Sequence, residues 1–289
     1  MRVVHLAWLI QPSRDERTTH AVNVGGSARV FDAAARAGVP AVVYASSVGA
    51  YSPGPKDRAV DESWPTDGIR TSFYSRHKAA VERLLDRFEA EHPAVRVVRL
   101  RPGLIFQREA ASEIRRLFAG PLLPNALVRR SLIPFVPDHP RLRFQAVHTH
   151  DVAEAYRLAV RDGSARGAFN VAAEPVLDSA GLARLLGARR VPVPGWLLHA
   201  AADLSWRARL QPTPAGWVDM GLGVPIMDAS RARDELGWAP RHTAEDALED
   251  LIAGLRDGSG LPTPPLAPDA GEHRRRDEVL QTGVGARNP

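Results

Sequence analysis

The 289-residue chain contains no cysteine. Disulfide bridges and thiolate chemistry are therefore excluded, and a reducing compartment is the natural location. The chain also lacks any apolar run near the roughly 20 residues that a membrane span requires. Its first residues, MRVVHLAWLI, are not followed by the small-residue cleavage site of a signal peptide. These absences predict a cytoplasmic protein with no membrane partner.

Nucleic-acid binding is not indicated by the charge pattern. The net charge of +5 comes mostly from arginines scattered along the chain, and no basic stripe carries interleaved aromatic residues. The densest basic run, HRRRDE at 273–278, is followed at once by acids and lies in a stretch rich in proline, glycine and charge. Residues 258–289 are therefore predicted to form a disordered tail without a nucleic-acid partner.

Buried-type strands alternate with amphipathic helices in the first part of the chain. Three strands are predicted: the continuous apolar run VVHLAWLI (3–10), the buried-type segment PAVVYASS (40–47) and AVRVVRLRPG (94–103). They are separated by a polar loop at 11–20 and by helical patterns at 23–38 and 71–88. Such alternation predicts an α/β fold with a parallel sheet, which binds ligands beyond the carboxyl ends of its strands. Ala7, Trp8, Ser46, Ser47 and residues 101–105 lie at such ends.

Later segments predict further helices at 148–160, 178–186, 195–210 and 243–258. The last of these opens with a Thr-x-x-Asp box at Thr243 and Asp246.

Seven motifs follow one another in an order that resembles a known family. They are VVHLAW, NVGGSARVFDAA, YASSVGAYS, YSRHK, RPGLIF, AVHTHDVAEA and SRARDELGWAP. Together they resemble the extended short-chain dehydrogenases/reductases, the NAD-dependent epimerase/dehydratase group, from Val3 to about Pro240. YSRHK fits that family's Y-x-x-x-K motif, and Ser47 precedes its tyrosine by the family's spacing of 27 residues.

The resemblance implies an α/β architecture in which a partial Rossmann-type, doubly wound parallel sheet, containing strands from the fourth onward, carries a smaller mixed C-terminal substrate lobe. Residues 1–110 would form the remaining part of the NAD(P)-binding domain. Residues 111–257 would form the substrate-binding region with returning Rossmann elements. A homodimer through the helices that follow Asn23 and Tyr74 is a further expectation.

The resemblance also assigns catalytic roles to Ser47, Tyr74 and Lys78. A tyrosine has a pKa near 10 and needs a neighbouring positive charge to act as a base at neutral pH. Lys78, one helical turn away, would lower the pKa of Tyr74 and hold the nicotinamide ribose, while Ser47 would orient the reacting oxygen. Tyr74 would then take a proton from a substrate hydroxyl during hydride transfer.

The expected cofactor is NAD or NADP. The positions that the resemblance assigns to cofactor binding are Leu6, Ala7, Trp8, Asn23, Ser46, Tyr74, Lys78, Pro102, Gly103 and Ile105. No metal site is expected, because the segment with His148, His150 and Asp151 is not a metal site in the family. A helix cap and two solvated histidines are predicted there instead.

The Gly-rich turn that binds the cofactor pyrophosphate is missing from this sequence. GLGVPI, GSGLPT and GVGARN each fail the G-x-G-x-x-G pattern. The chain would open at the family's fourth strand, leaving VVHLAWLI as an exposed edge. This predicts that Met1 is an internal methionine of a longer protein, and a native protein starting at Met1 would contradict it. The alternative is a degenerate relative that acts as a binding or regulatory protein.

The remaining motifs restrict the reaction types and substrates that are expected. Val48 and Gly49 stand where the family's 4,6-dehydratases carry an acid–base pair, so an epimerase or an alcohol/ketone oxidoreductase is expected. Gln107 replaces the expected glycine, which argues against a UDP-sugar substrate. The segment PLLPNALVRRSLIPF and the 195–210 helix, with Trp196 and Trp206, are expected to line the substrate pocket.

Overall fold

The computed structural model describes residues 1–10, 13–119, 134–263 and 266. Its strands are β1 (Val3–His5), β2 (Ala41–Ala45), β3 (Ala59–Val60), β4 (Arg96–Pro102), β5 (Leu104–Phe106), β6 (Phe135–Asp138), β7 (Arg143–Phe144), β8 (Ala146–His148), β9 (Gly167–Val171), β10 (Leu177–Asp178), β11 (Arg189–Pro192) and β12 (Ile226–Met227). Its α-helices are α1 (Glu16–His20), α2 (Gly26–Arg36), α3 (Phe73–Glu91), α4 (Ala111–Ile114), α5 (Thr149–Arg161), α6 (Ser179–Leu186), α7 (Gly195–Arg207), α8 (Gly216–Gly223), α9 (Ser230–Leu236) and α10 (Ala244–Asp257).

A four-stranded parallel sheet in the order β1-β2-β4-β9 confirms the predicted α/β fold. Consecutive side chains of a strand point to opposite faces, so β2 and β4 supply both cores. Val43, Val98 and Leu100 face the core closed by α5 and α9. Val42 and Val97 face the core closed by α2 and α3. Helices cover both faces of the sheet, so β2 is continuously apolar, whereas β4 also carries the buried arginines Arg96, Arg99 and Arg101.

The first strand is shorter than the sequence indicates. It ends at His5 instead of continuing to residue 10, and the following segment is held by a side chain rather than by a neighbouring strand. The Asn23 amide accepts from the Leu9 N–H (2.7 Å) and donates to the Leu9 carbonyl (2.8 Å). Within the described residues β1 is the edge of this sheet, and Leu6 is 57% exposed.

Two local expectations need correction. The predicted polar loop at 11–20 contains α1, which Asp15 caps by accepting from the Thr18 N–H. The predicted pair of solvated histidines is wrong for His148, which is buried and caps α5 by accepting from the His150 N–H at 3.2 Å.

The C-terminal segment docks its last helix onto the rest of the fold. The predicted box at the start of α10 is present, with both Thr243–Asp246 hydrogen bonds formed. Leu248 and Leu251 then pack against Ala111 and Leu177. Residues 264–265 and 267–289 of the predicted tail lie outside the described residues. Residues 121–133 of the predicted pocket wall lie outside them as well.

No helix in the described ranges is long and apolar enough to cross a membrane.

Candidate active site

The site forms where the carboxyl end of β2 meets the first turn of α3. Ser47 ends the extended segment after β2, and its Oγ accepts from the Gly49 N–H (3.0 Å) to open a short 3₁₀ turn, Val48–Ala50. Ser72 caps α3 by accepting from the Ser75 N–H (3.3 Å). The Ser75 hydroxyl in turn donates to the Gly49 carbonyl, so the 3₁₀ turn and the start of α3 are tied together.

This tie brings the predicted serine and tyrosine into contact. The Ser47 side chain lies close enough to the Tyr74 phenol to affect its pKa. The Tyr74 ring lies 4.9 Å from the Trp217 ring and 5.8 Å from the Trp8 ring, centroid to centroid. This enclosure raises the pKa of Tyr74, and the neighbouring Ser47 side chain offsets part of the rise.

Two glycines make the enclosure possible. A Cβ on Gly49 would lie 2.9 Å from Cε1 of Tyr74 and 3.0 Å from Sδ of Met220. A Cβ on Gly216 would lie 2.2 Å from the Thr71 carbonyl oxygen, so only glycine lets α8 approach the residues before α3. This approach places Trp217 against Tyr74.

Gly49→Ala is expected to displace the Tyr74 ring and to lower hydride transfer by about 100-fold, since a shift of about 1 Å in a reacting group costs that much. Steady-state kinetics measure the loss, and circular dichroism checks the fold. Gly163→Ala is the matched control, because nothing lies within 4 Å of its added Cβ. Equal rates for Gly49→Ala and the control would show that the Tyr74 position tolerates movement.

Lys78 lies one turn after Tyr74 and is only 3% exposed. Its Nζ donates to the Ala45 carbonyl (2.7 Å) and lies 3.6 Å from the centroid of the Trp8 ring, within cation–π range. Burial lowers the pKa of Lys78 to about 7, against the opposing attraction of Glu82. Trp8 thus covers the ammonium that the sequence assigned to the cofactor ribose.

Trp8→Ala is expected to raise the pKa of Lys78 from about 7 toward its ordinary value of 10.5, because water then reaches the ammonium. The chain contains only two lysines, so ¹³C NMR of lysine labelled at Cε follows Lys78 directly. Trp206→Ala serves as the control, since the cation over that ring is Arg14. An unchanged pKa in Trp8→Ala would show that Trp8 does not shield the ammonium.

A buried charge cluster that the motifs did not reveal lies behind the pair. Glu82 is fully buried and accepts from Ser46 Oγ (2.5 Å), Arg99 (3.0 Å) and Arg101 (two bonds of 2.9 Å). Burial alone would raise the pKa of Glu82, but Arg101 and Arg99 outweigh it and lower that pKa to about 2. The sequence did contain one indication that Glu82 belongs to this site. Glu82 follows Lys78 by four residues, which places both side chains on one face of the helix.

The other residues assigned to the cofactor lie around this centre without joining it. Leu6 and Ala7 are exposed beyond β1, and the Asn23 amide is engaged with Leu9. Pro102 ends β4, two residues beyond the Ala45–Leu100 register pair. Gly103 is required because a Cβ there would lie 2.5 Å from the Gln145 carbonyl oxygen.

Ile105 lies in β5, is 39% exposed and pairs with Val147.

The residues present fit the nicotinamide end of NAD(P), with one rearrangement. Ser47, Tyr74 and Lys78 converge at the strand ends, and the buried Lys78 ammonium has one hydrogen-bond acceptor, the Ala45 carbonyl, among its described contacts. The ring of Trp8 must leave Lys78 before a ribose hydroxyl can reach it.

No group of three or more potential ligands among the described residues is placed to hold a metal ion. Asp151 instead accepts from the backbone N–H groups of Arg241 and His242, both at 3.0 Å.

Comparison with known proteins decides the family. A model described as the NAD dependent epimerase/dehydratase family matches residues 2–172. The chain belongs to this family. The match includes all three residues of the Ser47–Tyr74–Lys78 group.

The similar proteins are distant in sequence. An uncharacterized protein of Mycobacterium tuberculosis is 28% identical over 288 residues, covering 93% of this chain and 68% of that protein. A UDP-glucose 4-epimerase of Neisseria meningitidis is 28% identical, covering 79% of this chain and 66% of that enzyme. The crystal structure of a Thermus thermophilus UDP-glucose 4-epimerase with NAD has a TM-score of 0.61 at 19% identity, covering 88% of this chain and 77% of that one. This last similarity shows the Rossmann-type fold.

Proposed function

We propose that this protein is an NAD(P)-dependent oxidoreductase or epimerase that acts on a sugar-like or other secondary alcohol or ketone. The observation that carries the proposal is that Ser47, Tyr74 and the buried Lys78 lie together where β2 ends and α3 begins. Membership of the NAD dependent epimerase/dehydratase family and an NAD-bound structural relative support the cofactor.

Each of the three side chains has a role that its surroundings support. Ser47 donates a hydrogen bond to the reacting oxygen and orients it beside Tyr74. Tyr74 removes the hydroxyl proton of an alcohol, or returns a proton to a ketone. Lys78 would hold the nicotinamide ribose and stabilise the Tyr74 phenolate. When bound, NAD(P) supplies a hydride acceptor and, in its oxidised form, a positive charge beside the phenol.

The pKa values of Tyr74 and Lys78 support a site that is inactive while the Trp8 ring covers the Lys78 ammonium. The pKa of Tyr74 is raised and the pKa of Lys78 is lowered to about 7, so at neutral pH the phenol stays protonated and the ammonium is only partly charged. Moving Trp8 off Lys78 restores its charge, which favours the phenolate.

The geometry around Gly49 supports oxidation or epimerisation over 4,6-dehydration. The Tyr74 ring and the Met220 sulfur already occupy the space that a side chain at position 49 would need. Val48 packs in apolar clusters with Tyr51 and with Ile69, and it cannot transfer a proton. Elimination of water would need an acid or base at these positions.

The test has two readouts on the full-length protein purified from its own cells. Calorimetry measures NAD and NADP binding. Turnover of a panel of sugars, nucleotide sugars and secondary alcohols is followed by absorbance at 340 nm for net oxidation or reduction and by NMR of the products for epimerisation. Cofactor binding with turnover of one substrate class supports the proposal. Absence of cofactor binding would contradict it and favour a non-catalytic, ligand-binding relative.

A further inference from the structure

The second lysine of this chain is buried in a place that the proposed reaction does not use. Lys56 and Lys78 are the only lysines among 38 lysines and arginines, and Lys56 is 5% exposed. Its Nζ donates to the carbonyls of Arg143 (2.7 Å) and Gly221 (2.9 Å). Burial, together with the charges of Arg141 and Arg143, lowers the pKa of Lys56 to about 7.

The cations around Lys56 bond carbonyl groups instead of carboxylates. Arg143 donates to the Lys56 carbonyl (2.6 Å), and Arg141 donates to the carbonyls of Leu222 (2.8 Å) and Gly54 (2.9 Å). In the ranges that the structure describes, no ion pair joins any of these three cations to a carboxylate. Arg99 and Arg101 differ from these cations, because both form an ion pair with the buried Glu82 carboxylate.

A cleft of about 920 Å³ opens beside this uncompensated charge. Arg58 and Arg141 line it, together with Trp64 and Trp196. The Arg58 guanidinium lies 5.7 Å from the Trp64 ring centroid and has no carboxylate partner among the described residues. Trp196 is 71% exposed, so its ring is available to a ligand. The carboxylate of Asp219 also lines the cleft, but it is engaged by His199 Nδ1 at 2.8 Å.

Helix α8 separates this cleft from the candidate active site. Trp217 and Met220 on α8 face Tyr74 and Gly49, whereas Asp219 and Leu222 of the same helix line the cleft. Ser47, Tyr74 and Lys78 are not among the lining residues. A ligand in the cleft is therefore bound by residues other than the Ser47–Tyr74–Lys78 group.

We propose that this cleft binds an organic anion that carries a flat ring, with the anionic group against Arg58 and Arg141 and the ring against Trp64 or Trp196. Two arginines that lack a carboxylate partner attract an anion, and arginine is well suited to phosphate and carboxylate groups. Exposed indole faces suit a flat ring. The anion also supplies the counter-charge that the buried Lys56 and its neighbours lack.

Three probes distinguish the contribution of the anionic group to binding from that of the flat ring. Phenyl phosphate carries both, inorganic phosphate carries only charge, and benzyl alcohol carries only the ring. Calorimetry on the full protein is expected to show saturable binding that is strongest for phenyl phosphate, weaker for inorganic phosphate and absent for benzyl alcohol. Equal binding of benzyl alcohol and phenyl phosphate would overturn the proposal, because the arginines would then contribute nothing.

Lysine NMR provides a readout that does not depend on the proposed reaction. With ¹³Cε-lysine labelling, phenyl phosphate is expected to raise the pKa of Lys56 above about 7 and to leave the Lys78 signal unchanged. A response of Lys78 alone would place the probe in the candidate active site and overturn the proposal. Failure of NAD to bind leaves this experiment intact, so the two proposals fail separately.

Variants then test the residues. Arg58→Gln is expected to weaken phenyl phosphate binding by about ten-fold or more, the loss typical of one hydrogen bond to a charged group. Arg70→Gln, at an exposed arginine outside the cleft, is the matched control. Trp196→Ala is expected to weaken phenyl phosphate but not inorganic phosphate. Unchanged affinity in both Arg58→Gln and Trp196→Ala would overturn the assignment of the cleft.

Discussion

Tyr74→Phe is expected to lower the rate of hydride transfer by about 10²–10⁴-fold while leaving the fold and the cofactor affinity unchanged. The substitution removes only the hydroxyl beside Ser47, which in the proposed reaction would exchange a proton with the substrate. The ring contacts with Trp8 and Trp217 are retained. The loss should therefore appear in kcat, measured at 340 nm for net oxidation or reduction or by product NMR for epimerisation, with calorimetry reporting the cofactor affinity.

Tyr44→Phe is the matched control for this experiment. The Tyr44 hydroxyl is buried in the core of α2 and α3 and has no hydrogen-bond partner among the described residues. Removing an unpaired buried hydroxyl is expected to be neutral or slightly stabilising and to leave kcat unchanged. A Tyr74→Phe protein with the kcat of the Tyr44→Phe protein would eliminate Tyr74 as the proton-transfer residue.

Glu82→Gln is expected to destabilise the fold by about 3–5 kcal/mol, because it leaves two arginines buried without their shared carboxylate. Arg99 and Arg101 are 7% and 5% exposed and both pair with Glu82. The free energy of unfolding in urea at pH 7 measures the effect. The fully buried position of Glu82 means that water cannot replace the lost charge.

Asp86→Asn gives the comparison at the exposed end of the same network. Asp86 also pairs with Arg99 (2.6 Å), but its side chain is 61% exposed. Solvent screens such a pair, so the loss is expected to stay below about 1 kcal/mol. Equal destabilisation by both variants would show that burial does not decide the strength of this network.

The same experiment repeated at low pH tests the ionisation of Glu82. Its pKa in the folded protein is about 2, below the ordinary value of 4.5. A lowered carboxylate pKa stabilises the fold fully above pH 4.5, and this contribution is lost as the pH falls toward 2. The difference in stability between the wild type and Glu82→Gln should narrow across that window. A constant difference would contradict the lowered pKa.

Local sequence patterns were sufficient for the fold class and for the catalytic spacing. The strands β2 and β4 and the helix α3 appear where the pattern predicted them, because strand and helix periodicity are properties of neighbouring residues. The four-residue spacing of Tyr74 and Lys78 places both on one face of α3. The family match confirms the resemblance, whereas the catalytic roles stay predictions.

Tertiary structure decided what surrounds these residues. The bond from Asn23 to Leu9 ends β1 early, the Trp8 ring covers Lys78, and Glu82 collects Arg99 and Arg101. Each contact joins residues at least ten positions apart, so no periodicity of the chain encodes it. The ionisation of Lys78 and Lys56 follows from the same cause. The sequence supplies the two amines, but only packing excludes water from them, and that exclusion lowers their pKa to about 7.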